Sequence, residues 1–389
     1  MSAPKDYLLM KKYVLVSADF NTWGGMDRAN YEFAWYLANT AEASIHLVSY
    51  FVASPLSDHK NVAWHKVPKP LNSYALSEPL IKIYSYHIAR RLSKLGARII
   101  ANGGNCNWSD VNWVHYVHAA FRPQLGQNTI WSLKRRLEHK RYLKDERYAF
   151  RKAKVVIANS EVTRQHLINY FDIPARQVHT IYYGIDPQAF RPVTSDKQAL
   201  ARRELGWSND RLRVIFVGAL GDRRKGFDIL FEAWKTLCQN ISWDVDLIAL
   251  GAGSELDFWR SQAKHYKLSD RIQLPGFTRN MPQVMEGADA LISPTRYEAY
   301  GLGVHEALCC GLPAFVTRSA GIAERYPKEL DDLLLNDPPN AEDLVQRLKH
   351  WRANIDDYKA RIAKFGEQLR QRTWTDMARE IVELIDSTD

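Results

Sequence analysis

Short apolar runs that end in polar or glycine-bearing loops, each followed by a helical pattern, recur along the whole chain, and this alternation restricts the fold more than any other feature. In the first half the runs cover residues 13–19, 44–50, 63–67, 98–101, 111–118, 154–160 and 178–186, with helical stretches at 77–95 and 132–152 among them. Continuous apolar runs, rather than a period of two, belong to strands covered on both faces, and strands alternating with helices build a parallel sheet wound on both sides. Residues 191–210 lose the strand pattern and read as a connection. A second alternation follows, with runs at 213–218, 245–250, 271–277, 290–292 and 313–317. The expected fold class is therefore α/β, with two doubly wound Rossmann-like domains facing across a cleft. They span 1–190 and 211–373, joined by 191–210, and a last amphipathic helix within 374–389 completes the first. At 389 residues, with 46% apolar and 25% charged residues, the chain can fill two cores.

Loops that follow parallel strands share one edge of the sheet, so Arg224, Lys225, Gly251, Glu298 and Glu306 are expected along one cleft. Glu298 lies in the loop after the run ending at Ile292 and Pro294, and Glu306 lies in the helix opened by Gly301-Leu302-Gly303. Unpaired N–H groups at that helix start favour an anion such as a diphosphate, and a carboxylate on each side suits sugar hydroxyls. The plainer alternative is that Glu298 only complements a helix dipole and Glu306 is a surface residue. In the first half, Gly24-Gly25 follows a strand without a G-x-G-x-x-G, which disfavours a nicotinamide-linked oxidoreductase. His118, at the carboxyl end of its run, is a better site candidate than His115, which reads as a core histidine on the same strand. Asp244-Val245-Asp246 has the form of a metal-binding D-x-D but begins a strand, at the edge away from the cleft, so no metal is expected.

The net charge of +9 is uneven: residues 1–190 carry 25 basic against 14 acidic side chains, and 191–389 carry 28 against 30. Ten of the basic residues fall between Lys134 and Lys154, with Glu138, Asp145 and Glu146. Such a segment is either a solvated face, or holds an anionic membrane surface, or grips a lipid-linked diphosphate acceptor. The first residues lack the apolar run of a signal peptide and no uncharged stretch approaches the roughly 20 residues of a membrane span, so a cytoplasmic location is expected, with peripheral attachment at the inner face of the membrane through 134–154. Cys106, Cys238, Cys309 and Cys310 form no CxxC and read as reduced packing thiols.

Glu298 and Glu306, with Gly301 between them, resemble the E-x7-E motif of retaining GT-B glycosyltransferases, in particular glycosyltransferase family 4. Supporting matches run in order: Trp23-Gly24-Gly25, His118, Asn159-Ser160, Tyr183-Gly184, Arg224-Lys225-Gly226, Gly311-Leu312-Pro313 and Gly321-Ile322-Ala323-Glu324. The resemblance implies GT-B architecture and retaining, metal-independent transfer of a hexose from a nucleotide diphosphate sugar, with UDP favoured. The acceptor would be a saccharide or lipid-linked molecule in polysaccharide or glycolipid synthesis, and no cofactor is implied. Glu298 would hold hydroxyls of the moving sugar and Glu306 the ribose diol. Arg224 and Lys225 would neutralise the diphosphate with the N–H groups near Tyr300, Gly301 and Leu302, and Gly24 and Gly25 would close over it. His118 would bond the donor sugar. Gly251, Gly253 and Phe277 would frame the base. Where relatives place an arginine directly after Gly218, this chain has Ala219, and Arg223 is the candidate substitute. Tyr183-Gly184 likewise stands where relatives often have Asn-Gly. Two alternatives remain at this point: a nucleotide-sugar epimerase of the same fold, and a non-catalytic nucleic-acid-binding protein. The second would explain the basic segment but not the glutamate pair, and no nucleic-acid partner is expected.

Overall fold

The first set of apolar runs folds into β1 (Lys11–Val16), β2 (Asp19–Phe20), β3 (Ala43–Ser49), β4 (Phe51–Val52), β5 (Val62–Lys66), β6 (Arg98–Asn102), β7 (Val111–Val114), β8 (Val155–Ala158) and β9 (Val178–Thr180). The second set gives β10 (Leu212–Val217), β11 (Val245–Leu250), β12 (Ile272–Gly276), β13 (Ala290–Ser293), β14 (Ala314–Thr317) and β15 (Leu334–Leu335). The structure is a computed structural model and describes residues 11–40, 43–108, 110–123, 130–221 and 223–388, with the backbone alone for 130–135. Seven strands pair in parallel in the order β5-β3-β1-β6-β7-β8-β9, six in the order β12-β11-β10-β13-β14-β15, and β2 pairs with β4. Helices cover both faces of the central strands, so Val14, Ile99, Trp113, Ile215, Leu247 and Ile292 are all fully buried. That is why these strands are apolar throughout.

In each sheet the first strand lies inside, and the strand order reverses beside it, between β1 and β6 and between β10 and β13. Loops leaving the two strands at a reversal diverge and leave a crevice at the carboxyl edge. Glu298 follows β13, Arg224 and Lys225 follow β10, Gly24 and Gly25 follow β1, and His118 follows β7.

Two expectations need correction. The stretch 191–210 is not only a connection: the helix Ser195–Glu204, capped by Thr194, docks on the second sheet through an Arg202–Asp289 ion pair at 2.5 Å. Both side chains of that pair are nearly buried, so the helix is held as part of the domain. The strand expected over 111–118 stops at Val114, because the N–H groups of Val117 and His118 are taken by Tyr297 Oη and Glu146 instead of a neighbouring strand. His118 opens a short 3₁₀ turn, His118–Ala120, and no longer shares a strand with His115.

The helix Trp374–Asp386 starts on a reciprocal cap between Thr373 and Asp376 and returns to the first sheet. Ile185 N–H donates to Arg372 O at 3.0 Å, and Lys11 pairs with Asp386 at 2.7 Å. The domains also meet at the Glu298 loop, where Ser160 Oγ donates to Ala299 O at 2.6 Å and Glu324 accepts the N–H groups of Glu161 and Val162 at 2.7 and 3.0 Å. Among the described residues no helix is long and apolar enough to cross a membrane.

Candidate active site

Pro294 lacks an N–H and biases Ser293 to extended backbone, so β13 ends there and the chain turns into the cleft. The loop is then laced to the one after β10: Arg296 N–H and Thr295 Oγ1 both donate to Arg224 O, at 2.7 and 3.0 Å. Gly226 permits this approach, since at φ +70° a Cβ would stand 1.8 Å from Pro294 O. Lys225 Nζ consequently donates a hydrogen bond to Glu298 Oε2. Burial works to raise the Glu298 pKa, yet Lys225, Arg224 and the Tyr300 N–H together hold it below the ordinary glutamate value. Arg224 lies over the Tyr116 ring at 5.4 Å and donates to Tyr297 O at 3.2 Å.

Glu306 lies in the helix Leu302–Cys309, whose N-cap Gly301 has φ +109°. Burial pushes Glu306 up to about 8, opposed only by the more distant Arg28. The two carboxylates thus differ in charge at neutral pH, and Glu306 is not the freely solvated residue of the plainer reading. Gly25 meets the same helix start, where a Cβ would lie 4.0 Å from that of Leu302. The Tyr300 N–H acts on Glu298, helping to lower its value, and the Tyr300 ring is packed, its Oη 3.0 Å from His305 Nδ1.

A cavity of about 780 Å³ lies between the domains and brings together Gly25, His118, Arg224, Lys225 and Glu298. Gly24, Arg223, Gly251, Gly253, Phe277, Tyr300, Gly301, Leu302 and Glu306 are not on its wall. Arg223 turns toward Glu255, with Nε 3.6 Å from its carboxylate. Gly251 and Gly253 face backbone: a Cβ on either would stand 1.9 Å from Gly218 O or Leu220 O, so loop packing alone demands glycine there. Phe277 is 58% exposed.

His118 Nδ1 lies 2.6 Å from Glu146 Oε1, while Glu146 Oε2 accepts the His118 N–H at 3.0 Å. With Nδ1–H donating to the carboxylate, Nε2 is the nitrogen left to accept from a ligand. Burial raises the Glu146 pKa and the His118 contacts oppose it. Sequence reasoning had counted Glu146 only as an acid within the basic segment. Its signal was helical spacing, since Glu138, Tyr142 and Glu146 share one face of the helix Ile130–Lys152. His115 is buried as expected, with Nδ1 at 2.5 Å from Tyr183 Oη and a pKa lowered by burial to about 3.

The same helix separates its charges. Glu138, Asp145 and Glu146 line the cavity with His139, and none of its described lysines or arginines does. Arg141 pairs with Glu78 and Arg151 with Asp172, while Arg136, Lys140, Lys144 and Arg147 are exposed. The described lysines and arginines of this segment thus stand off the cavity wall; Lys134 and Arg135 lie outside the described side chains. Asp244 is held by Arg352, and Asp246 by Arg211, Arg213 and Arg271, so arginines occupy the D-x-D. Cys106, Cys309 and Cys310 are buried free thiols, and Cys238 is half-buried.

Residues 23–189 match the family model described as Glycosyltransferase Family 4, and 197–369 the one described as Glycosyl transferases group 1. The chain is 24% identical over 273 residues to mannosylfructose-phosphate synthase of Agrobacterium fabrum, covering 66% of this chain and 56% of that protein. It is 27% identical over 215 residues to a D-inositol 3-phosphate glycosyltransferase of Frankia alni, covering 51% and 52%. The matches thus span a little over half the length of these curated relatives. Among solved structures, WaaG, a glycosyltransferase involved in lipopolysaccharide biosynthesis, superposes with a TM-score of 0.76 at 17% identity over 96% of this chain and 99% of its own. Anabaena HepE in complex with UDP-glucose gives 0.73 at 19% identity over 97% and 99%. These likenesses are likenesses of fold.

Proposed function

Because the chain belongs to glycosyltransferase family 4 and has the GT-B architecture, we propose that it transfers a hexose from a nucleotide diphosphate sugar, with retention at the anomeric carbon and without a metal ion. The observation that carries this reading is Glu298, kept ionised by Lys225 and Arg224 at the strand-order reversal of the second sheet and facing one cavity with His118. Departure of the nucleoside diphosphate concentrates negative charge, which Arg224 and Lys225 are placed to neutralise with fixed donors. Glu298 then accepts hydrogen bonds from hydroxyls of the moving sugar, and His118 Nε2 accepts from another. Glu306 accepts from the ribose diol. The bond from the anomeric carbon to phosphate oxygen breaks, the bond to the acceptor oxygen forms on the same face, and the acceptor proton passes to the departing phosphate oxygen.

UDP is the favoured nucleotide, a preference supported by the UDP-glucose bound to HepE. The acceptor is a saccharide or lipid-linked molecule in polysaccharide or glycolipid synthesis, with the outer face of the helix Ile130–Lys152 set against the inner, anionic surface of a membrane. Thermal shift against UDP, GDP, ADP and their sugars, followed by NMR of products formed in EDTA, tests the enzyme reading. UDP should give the largest shift, and the product should keep the donor's anomeric configuration. Inversion, a requirement for a divalent metal, or an epimerised donor without transfer would each overturn part of it.

A further inference from the structure

The first domain's share of the cavity wall carries three buried acceptor atoms that lack a hydrogen-bond partner. Asp19, in the short strand after β1, is 6% exposed; its Oδ2 accepts from Tyr74 Oη, and its Oδ1 has no partner. Asn102, the last residue of β6, is 4% exposed; its amide nitrogen donates to Trp113 O at 3.4 Å, and its Oδ1 has no partner. Asp27, in the first turn of the helix Met26–Asn39, has a buried Oδ1 in the same condition. All three line the cavity: Asn102 ends β6 at the reversal of the first sheet, while Asp19 in β2 and Asp27 in the following helix lie on the chain that leaves β1.

Nothing cationic offsets them at contact distance. Among the described residues neither Asp19 nor Asp27 forms an ion pair, and Lys82, the only lysine or arginine of the first domain on the cavity wall, is bound to Asp145. Amide oxygens and ionised carboxylates only accept, so Asp19 Oδ1 and Asn102 Oδ1 need a ligand that brings an O–H or N–H, and so does Asp27 when ionised, its carboxyl being pushed up to about 7 by burial and by Asp19. A phosphate brings acceptors and further negative charge, leaving Asp19 Oδ1 and Asn102 Oδ1 unpaired and repelling the ionised carboxylates. Resting on the transferase reading above, we propose that this half of the cavity takes an acceptor sugar that presents hydroxyl or amine donors and carries no phosphate, with Asp19, Asp27 and Asn102 selecting it.

The test is ligand-observed NMR on the full chain with UDP present, using glucose, glucosamine, glucose 6-phosphate and glucosamine 6-phosphate as probes. UDP binding is read in the same samples. Its absence, with GDP and ADP also unbound in parallel samples, sinks the transferase reading, whereas its presence isolates the acceptor question. The unphosphorylated sugars should bind, the phosphates about tenfold or more weakly. Asp27→Asn and Asp19→Asn should each weaken the unphosphorylated sugars while leaving UDP bound, which also reports that the variants fold. Glucosamine binding ahead of glucose in a way that depends on the aspartates would identify an ammonium as the donor, and equal binding would identify the hydroxyls. With UDP bound, phosphorylated sugars that match their parents, no binding of any probe, or unchanged binding in both variants would overturn the proposal.

Discussion

Lys225 Nζ is hydrogen-bonded to Glu298 Oε2, joining the loops that leave β10 and β13 on either side of the reversal in strand order. Both side chains are largely shielded, at 19% and 14% exposure, so the pair sets charge as well as position. Glu298→Gln keeps the shape and a partner for Lys225 but removes the charge. Turnover of the UDP-sugar is expected to fall about 10²–10³-fold while UDP affinity changes far less. Steady-state kinetics beside calorimetric UDP titration read the two separately. Wild-type turnover in this variant would remove Glu298 from the chemistry.

Glu298 and Glu306 titrate on opposite sides of neutrality. The Glu298 value is depressed, so its contribution to stability is present above the ordinary glutamate value of 4.5 and is lost as pH falls through the lower folded value. The Glu306 value is raised to about 8, so its contribution is complete below 4.5 and is lost as pH rises through about 8. Wild-type melting temperature should therefore decline from pH 5 toward pH 8 more steeply than that of Glu306→Gln. If ionised Glu306 accepts from ribose, UDP binding at pH 7 must expel its proton. Titration calorimetry in two buffers of different ionisation enthalpy should show proton release in the wild type and much less in Glu306→Gln. Equal release in both proteins would place the ribose elsewhere.

His118 depends on a partner 28 positions along the chain. Glu146 orients the imidazole and fixes which nitrogen carries the proton, so Glu146→Gln leaves a ring free to rotate. The expected loss is roughly 10–100-fold in kcat, with little change in KM for the donor, because placement and not contact is altered. Glu146→Asp should restore little, since the shorter carboxylate cannot bridge both the ring and the His118 N–H. A pure KM effect would mean that Glu146 only supports folding.

Gly226 places Lys225. Its φ of +70° and the 1.8 Å that would separate a Cβ from Pro294 O leave no room for alanine without moving one loop. Gly226→Ala is expected to cost about 1–3 kcal/mol, read as a lower urea midpoint at unchanged slope, and to reduce turnover as Lys225 and Glu298 part. Full activity with the predicted stability loss would mean that the ion pair survives a shifted loop.

The two sheets were legible because buried parallel strands are apolar without interruption, and the position of Arg224, Lys225 and Glu298 followed from the rule that such strands share a ligand edge. Gly251 and Gly253 were legible as special but not as to why, since the carbonyls they approach come from another loop. The helix Ser195–Glu204 was hidden because its burial rests on Arg202 and Asp289 rather than on an apolar stripe. Glu146 escaped notice because ten basic neighbours dominate its segment and its partner is reached only in the folded domain. The raised Glu306 value was also out of reach, for desolvation depends on how the first domain closes over the helix start.

The charge separation of the helix Ile130–Lys152 gives the membrane reading its own test. Its acids face the cavity, so the outward side chains can be changed without touching the site. Lys140, Lys144 and Arg147 are exposed, flanked by Leu137 and Tyr148 at 59% and 51% exposure, a mixture suited to an anionic interface. Each basic residue near such a surface contributes about 1 kcal/mol, so replacing all three by alanine should weaken co-sedimentation with phosphatidylglycerol vesicles roughly 10²-fold at low salt. Raising the salt should erase most of the difference, because the Debye length shortens to about 3 Å at 1 M. Transfer to a soluble acceptor should be unaffected, as none of the three lines the cavity. Wild-type protein that sediments equally with neutral and anionic vesicles would leave this face as solvated surface.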